Sequence, residues 1–172
     1  MVEQLFSQFD PELRITAQAG KSFIISEEKR EQLLGLPCVD LLSETISETA
    51  LVYFEGKQMP VQLMGVDAAF DDLTGIANII TDGHYEVYDG AFDRAVLGQG
   101  LAWKLGIGAR FVSGIEVYAP KREGKVNMLR PDVNFNRETC FIAGTFAVNQ
   151  QKYDDNYMLV DIDLTRRLLN YD

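Results

Sequence analysis

Two short apolar stretches held apart by a long polar one constrain this chain more than anything else in it. Ile115, Val117 and Ala119 alternate with Glu116, Tyr118 and Pro120, the period-two pattern of a half-buried strand. Phe141 to Phe146 is apolar at every position except Thr145, which suits a more deeply buried strand. The two are joined by about twenty residues, Lys121 to Cys140, a longer connection than paired strands need unless it is functional or disordered. Just upstream, Leu101, Ala102 and Leu105 share one helical face, and Gly106 stands where a left-handed residue closes a helix. The pattern predicts a short helix feeding two strands, with a long arm between the strands.

The rest of the chain reads in the same mixed way. Leu13 to Ala17 and Ser22 to Ile25 look extended around the turn-prone Ala19-Gly20-Lys21. Ser26 is placed to cap a helix with Glu27 and Glu28 in its first turn and Leu33, Leu34 and Leu36 available for burial, and Gly35 and Pro37 end it early. Leu41 to Ile46 fits helix and strand equally. Ala50 to Phe54 and Met59 to Val66, rich in strand formers and joined by Glu55-Gly56-Lys57, predict a hairpin. Asp71 to Asp93 is turn-rich. Tyr157 to Ile162 reads as a strand, and Asp163 is placed to cap a final helix in which Leu164, Leu168 and Leu169 share a face. No internal repeat, low-complexity run or linker interrupts this α+β pattern.

Charge and size narrow the function classes. The 172 residues carry 16 basic and 26 acidic side chains, a formal net charge of -10, so duplex nucleic acid and anionic lipid are poor partners for the surface as a whole. No run approaches the ~20 apolar residues of a membrane-crossing helix, and Met1 to Asp10 lacks the basic start and apolar core of a signal peptide. Cys38 and Cys140 are the two cysteines. They are compatible with one disulfide or with two thiols, and the tendency of cysteine to behave as a small buried hydrophobe favours thiols.

Several motifs stop short of a chemistry. Gly20-Lys21-Ser22 resembles the end of a phosphate-binding loop, but Ile15 stands where its first glycine belongs and strand-like Phe23-Ile24-Ile25 follows where a helix should begin. Gly98-Gln99-Gly100 begins a dinucleotide fingerprint whose third glycine position is Trp103, with no clear preceding strand or ribose-binding acid. Close helix–sheet approach explains the glycines better and makes Trp103 a core or lobe-interface aromatic. His84, the single histidine, reads as a surface residue, with no nucleophile motif to pair it and no zinc-like spacing. The carboxylates Asp71, Asp72, Asp82, Glu86, Asp89 and Asp93, and likewise Asp154-Asp155, lack the alternation of a calcium loop and read as turn formers. No catalytic, cofactor or metal site is expected. What remains is the arm, where Lys121, Arg122, Lys125, Arg130 and Arg137 concentrate positive charge in an acidic chain around the apolar pair Met128-Leu129.

The order VLGQGLAWKLGIG (96–108), IEVYAP (115–120), a long connector, FIAGTFAV (141–148) and YMLVDIDLTRRLL (157–169), preceded by MPVQLMGVD (59–67), resembles the MacB-like periplasmic core domain of FtsX-type ABC transporter permeases. Among these it is most similar to the lipoprotein-releasing permeases, over nearly the whole chain. The resemblance implies two lobes: a βαβ-type layer from 1–67, an inserted mostly-β lobe with one short helix over 68–160, and a return to the first lobe at 161–172 that lacks its tail. It implies an excised extracytoplasmic piece of an inner-membrane protein, facing the periplasm, with Met1 supplied for expression. It also implies partners: transmembrane helices of the same full-length chain, a second permease subunit, and a separate ATPase subunit. A periplasmic lipoprotein carrier, or an outer-membrane or cell-wall partner, completes the set, with no nucleic acid and no cofactor. In lipoprotein-releasing permeases a hairpin at the matching place hooks the carrier. By that resemblance Asn127, Met128, Leu129, Arg130 and Pro131 form the docking tip, flanked by basic Lys121, Arg122, Lys125 and Arg137. An FtsX-like recruiter of cell-wall hydrolases or a MacB-like efflux component keeps the fold and changes the partner. A free-standing ligand-binding domain would instead need a deep polar pocket with convergent titratable groups.

Overall fold

The computed structural model describes residues 13–20, 22–108, 113–121 and 134–171. Its elements, in chain order, are α1 (Glu27–Leu34), β1 (Thr45–Phe54), β2 (Lys57–Val66), α2 (Phe70–Thr74) with a 3-10 turn at Ile76–Ile79, β3 (Ile80–Gly83), β4 (Arg94–Gly98), α3 (Gln99–Leu105), β5 (Gly114–Pro120), β6 (Phe135–Phe146), α4 (Gln151–Asp154), β7 (Tyr157–Asp161) and α5 (Ile162–Leu169). The class is α+β, as the mixed pattern predicts.

The expected hairpin is the most regular part. β1 and β2 pair in unbroken register from Thr45↔Val66 to Phe54↔Lys57, leaving Glu55 and Gly56 as a two-residue turn. Both turn residues have positive φ, 46° and 84°, the geometry that matches the right-handed twist of the flanking strands. The ambiguous stretch before it is settled at Thr45, where β1 begins.

All seven strands belong to one sheet in the order β3-β6-β4-β7-β2-β1-β5, with β5 also pairing β6. That second pairing curls the sheet round until six strands close on themselves and β3 is left at the rim. β6 makes the closure possible by pairing three strands, β5 along its first half and both β4 and β3 along its second. Its first half pairs β5, from Pro120↔Phe135 to Gly114↔Phe141, and its second half pairs β4 in parallel, from Arg94↔Phe141 to Gly98↔Phe146. β7 enters between β2 and β4, parallel to the first and antiparallel to the second.

Two apolar clusters form on the two faces. Inside the curl lie Val52, Val61, Leu63, Leu97, Ile115, Val117, Ile142 and Met158, with Leu164, Leu168 and Leu169 of α5 and Leu101, Ala102 and Leu105 of α3. α5 packs against β1, β2, β5, β6 and β7, so it fills the concavity that the curl creates. Outside lie Val66, Phe70, Ile76, Val96, Phe146, Val148 and Leu159. Because Leu97 and Met158 point in while Val96 and Leu159 point out, β4 and β7 are covered on both faces, which explains their unbroken apolar sequences.

Four expectations are corrected. Leu13 to Ala17 and Ser22 to Ile25 carry no strand. Leu34 and Leu36 stay 43% and 46% exposed, on a helix that buries none of its residues. The cap of the last helix is Asp161, whose carboxylate accepts from the Asp163 N–H, so the helix starts two residues earlier than Asp163 suggests. Trp103 is 71% exposed, since the buried face of α3 is already filled by Leu101, Ala102 and Leu105.

Candidate functional site

The arm between β5 and β6 is anchored with care. The last paired residues are Pro120 and Phe135, and beyond them the Lys121 N–H donates to the Asn134 carbonyl at 2.8 Å, so the two ends of the connector are held side by side. Ile115, Val117 and Ala119 point into the core, which fixes Glu116, Tyr118 and Pro120 on the outer face of the sheet. From the other strand, Asn136 donates through Nδ2 to the Leu168 carbonyl at 2.8 Å. The arm's base is thereby tied to the end of α5.

Of the expected docking residues, Lys121 and Arg137 fall within the described structure, both exposed. Arg122, Lys125, Asn127, Met128, Leu129, Arg130 and Pro131 lie outside the described residues. Arg137 faces Tyr118 across the pair and lies 3.5 Å from the Glu116 carboxylate. Tyr118 donates its hydroxyl to Glu116 at 2.6 Å, and that bond, with some burial, pushes the phenol above its ordinary value. Arg137 is held further toward its charged form by Tyr118 and then Glu116. The arm thus leaves the sheet with one cation anchored by an acid and a phenol, and one, Lys121, at its root. Alternation alone placed Glu116 and Tyr118 outward. Their partnership with Arg137 depends on the register across the connector, which no local pattern encodes.

The other flagged motifs resolve as packing. A Cβ on Gly98 would collide with the Asp154 carbonyl, and one on Gly100 with the Asp155 carboxylate. The glycines therefore admit α4 against α3, and the space a phosphate would need is filled. A strand does precede them, β4, contrary to the reading from sequence. Residues 22–25 carry no helix, and the first one begins only at Glu27. His84 is exposed and 3.2 Å from Glu86. Asp71 accepts from the Ala77 N–H, Asp89 from Ala91 and Phe92, and Asp154 from Val148 and Gln150, so these carboxylates shape turns. The backbone bonds from Phe92 and Ala91 hold Asp89 below its ordinary value. Among the described residues no cluster of metal-ligating side chains occurs. Cys38 is exposed and Cys140 buried, both as free thiols, and burial pushes the Cys140 thiol far up. Among the described residues no helix is long and apolar enough to cross a membrane.

Neither a family model nor a curated protein matches this chain. Its fold does match solved structures. The extracellular domain of the noncanonic ABC-type transporter YknZ from Gram-positive bacteria aligns with a TM-score of 0.57 at 12% identity, over 83% of this chain and 65% of that one. A domain assigned to a permease protein from Porphyromonas gingivalis aligns with a TM-score of 0.49 at 20% identity, over 80% of this chain and 53% of that one. The chain shares the fold of the YknZ extracellular domain and spans 65% of its length.

Proposed function

We propose that this chain is the extracytoplasmic domain of an ABC transporter permease of the lipoprotein-releasing kind, facing the periplasm and working by mechanical transmission. The observation that carries the reading is the fold shared with the YknZ extracellular domain, supported by the order of the five sequence motifs. ATP hydrolysed on a separate subunit would change the spacing of transmembrane helices elsewhere in the same full-length chain. Paired domains of this kind would turn that movement into extraction of a lipoprotein and its delivery to a carrier. The division at 67 and 160 belongs to this reading, with the 68–160 segment contributing the arm. Met128 and Leu129 at the arm's tip would enter an apolar cavity of the carrier, and Lys121, Arg122, Lys125, Arg130 and Arg137 would steer toward an acidic rim.

Two measurements test this at its two levels. The gene around the coding region should encode an apolar run of about 20 residues shortly before residue 1 and three more after residue 172; stop codons at both ends would overturn the permease role. In the full-length permease, Met128→Asp with Leu129→Asp should abolish photocrosslinking of the periplasmic carrier while leaving the thermal midpoint nearly unchanged. Unfolding of the double variant would make those residues core, and undiminished capture would make the arm a bystander.

A further inference from the structure

We propose that α1 is a detachable strap, held on the body through the Glu44 carboxylate that Arg30 and Arg166 share, and that loss of the Arg30 contact melts α1 while the sheet stays intact. Three observations carry this. The first is that α1 buries none of its residues; Ile25, Leu33, Val39 and Leu42 are half-buried, and Leu34, Leu36, Phe23 and Ile24 are exposed. An eight-residue helix is far below the ~12–15 residues at which an isolated helix becomes even marginal in water. Something outside the helix must therefore support it.

The second observation is what that support consists of. Among the described residues, the one hydrogen bond or ion pair that residues 22–42 make to the sheet body is Arg30 to Glu44. Both side chains are less than a third exposed, at 29% and 28%, so the pair is screened less than a fully exposed one.

The third is that Glu44 is itself pinned to the body. Its N–H donates to Asp67 at 2.7 Å, its carbonyl accepts from the Asp67 N–H at 3.3 Å, and its second carboxylate oxygen meets Arg166 of α5 at 3.3 Å. Glu44 stays with the sheet when Arg30 leaves. The loss is confined to the strap, and its consequence is one of reach. Eight helical residues span about 12 Å, whereas the same residues extended span up to about 28 Å. A melted α1 becomes a longer tether on the N-terminal side of an unchanged sheet.

Hydrogen exchange on the 172-residue chain tests this. In Arg30→Met, amides of residues 29–36 should exchange roughly five-fold faster, the opening expected for loss of one such pair, while those of β2 and β7 keep their wild-type rates. About 1 M salt, with a screening length near 3 Å, should accelerate the same amides in the wild type by less than the substitution does, because the pair is partly buried, and should add almost nothing in the variant. Arg30→Lys should recover part of the protection. Unchanged exchange in α1 would overturn the proposal and assign its docking to the half-buried Ile25, Leu33, Val39 and Leu42. Acceleration of the sheet amides in step with α1 would overturn it too, because the helix would then unfold only with the whole body.

Discussion

α1 and α5 are alike in almost every local respect and opposite in what they do. Each is eight residues long, each is capped by a side chain, and each places acids in its first turn. Ser26 accepts from the Lys29 N–H at 3.4 Å, and Asp161 from the Asp163 N–H at 2.7 Å. Yet α5 buries Ile162, Leu164, Thr165, Leu168 and Leu169, and α1 buries nothing. The difference lies in where the apolar residues fall. In α5 they recur so as to cover one face; in α1 only the last two positions, Leu33 and Leu34, are apolar, and they point in different directions. Caps and acids decide where a helix begins, whereas a continuous apolar face decides whether it is held. Glu44 touches both helices, through Arg30 and Arg166, and so marks the line between the part that is packed and the part that is tied on.

The sharpest way to break the contrast is from inside. Leu168 is fully buried in the last turn of a helix that packs on five strands, so Leu168→Ala should cost about 3 kcal/mol of global stability, the transfer loss plus the cavity left behind. Urea unfolding would show the midpoint falling with the slope retained. A loss under about 1 kcal/mol would mean that the curled sheet holds itself without α5. A smaller effect separates the two caps. Asp161→Ala should lower global stability by about 1 kcal/mol, because α5 unfolds only with the sheet. Ser26→Ala removes a longer and weaker cap bond, 3.4 Å against 2.7 Å, and should leave the urea midpoint unmoved and show only as faster amide exchange in α1. Equal global losses from both would put α1 and α5 in one cooperative unit.

Much of the packed part was legible in the chain. The alternation in Ile115–Ala119, the face formed by Leu101, Ala102 and Leu105, and the face formed by Leu164, Leu168 and Leu169 all survive, because burial imposes a period and these segments have it. The α+β class followed from those periods. Strand order did not: β7 lies between β2 and β4 through contacts distant in sequence, and β6 pairs β3, β4 and β5. The glycine pair 98 and 100 announced a close approach, but its partner, α4, lies some fifty residues away. Trp103 misled because its hydrophobicity suggests burial and the small helix beneath it had no room left. At the candidate site the basic flank and the outward Glu116 and Tyr118 could be read, while the tie from Asn136 to the Leu168 carbonyl depends on tertiary geometry that no short window contains.

The smallest effect is the most discriminating for α1. Leu34 is 43% exposed and sits at the end of a helix without a buried face, so Leu34→Ala removes little buried surface, and alanine favours helix slightly more than leucine does. The two terms oppose one another, and the urea midpoint should shift by no more than about 0.5 kcal/mol equivalent, the range of ordinary surface substitutions. A loss above about 1 kcal/mol would show that Leu34 packs against the body after all. The contrast between the helices would then be one of degree, and the ion pair to Glu44 would be an addition to an apolar contact rather than the tie that holds α1 in place.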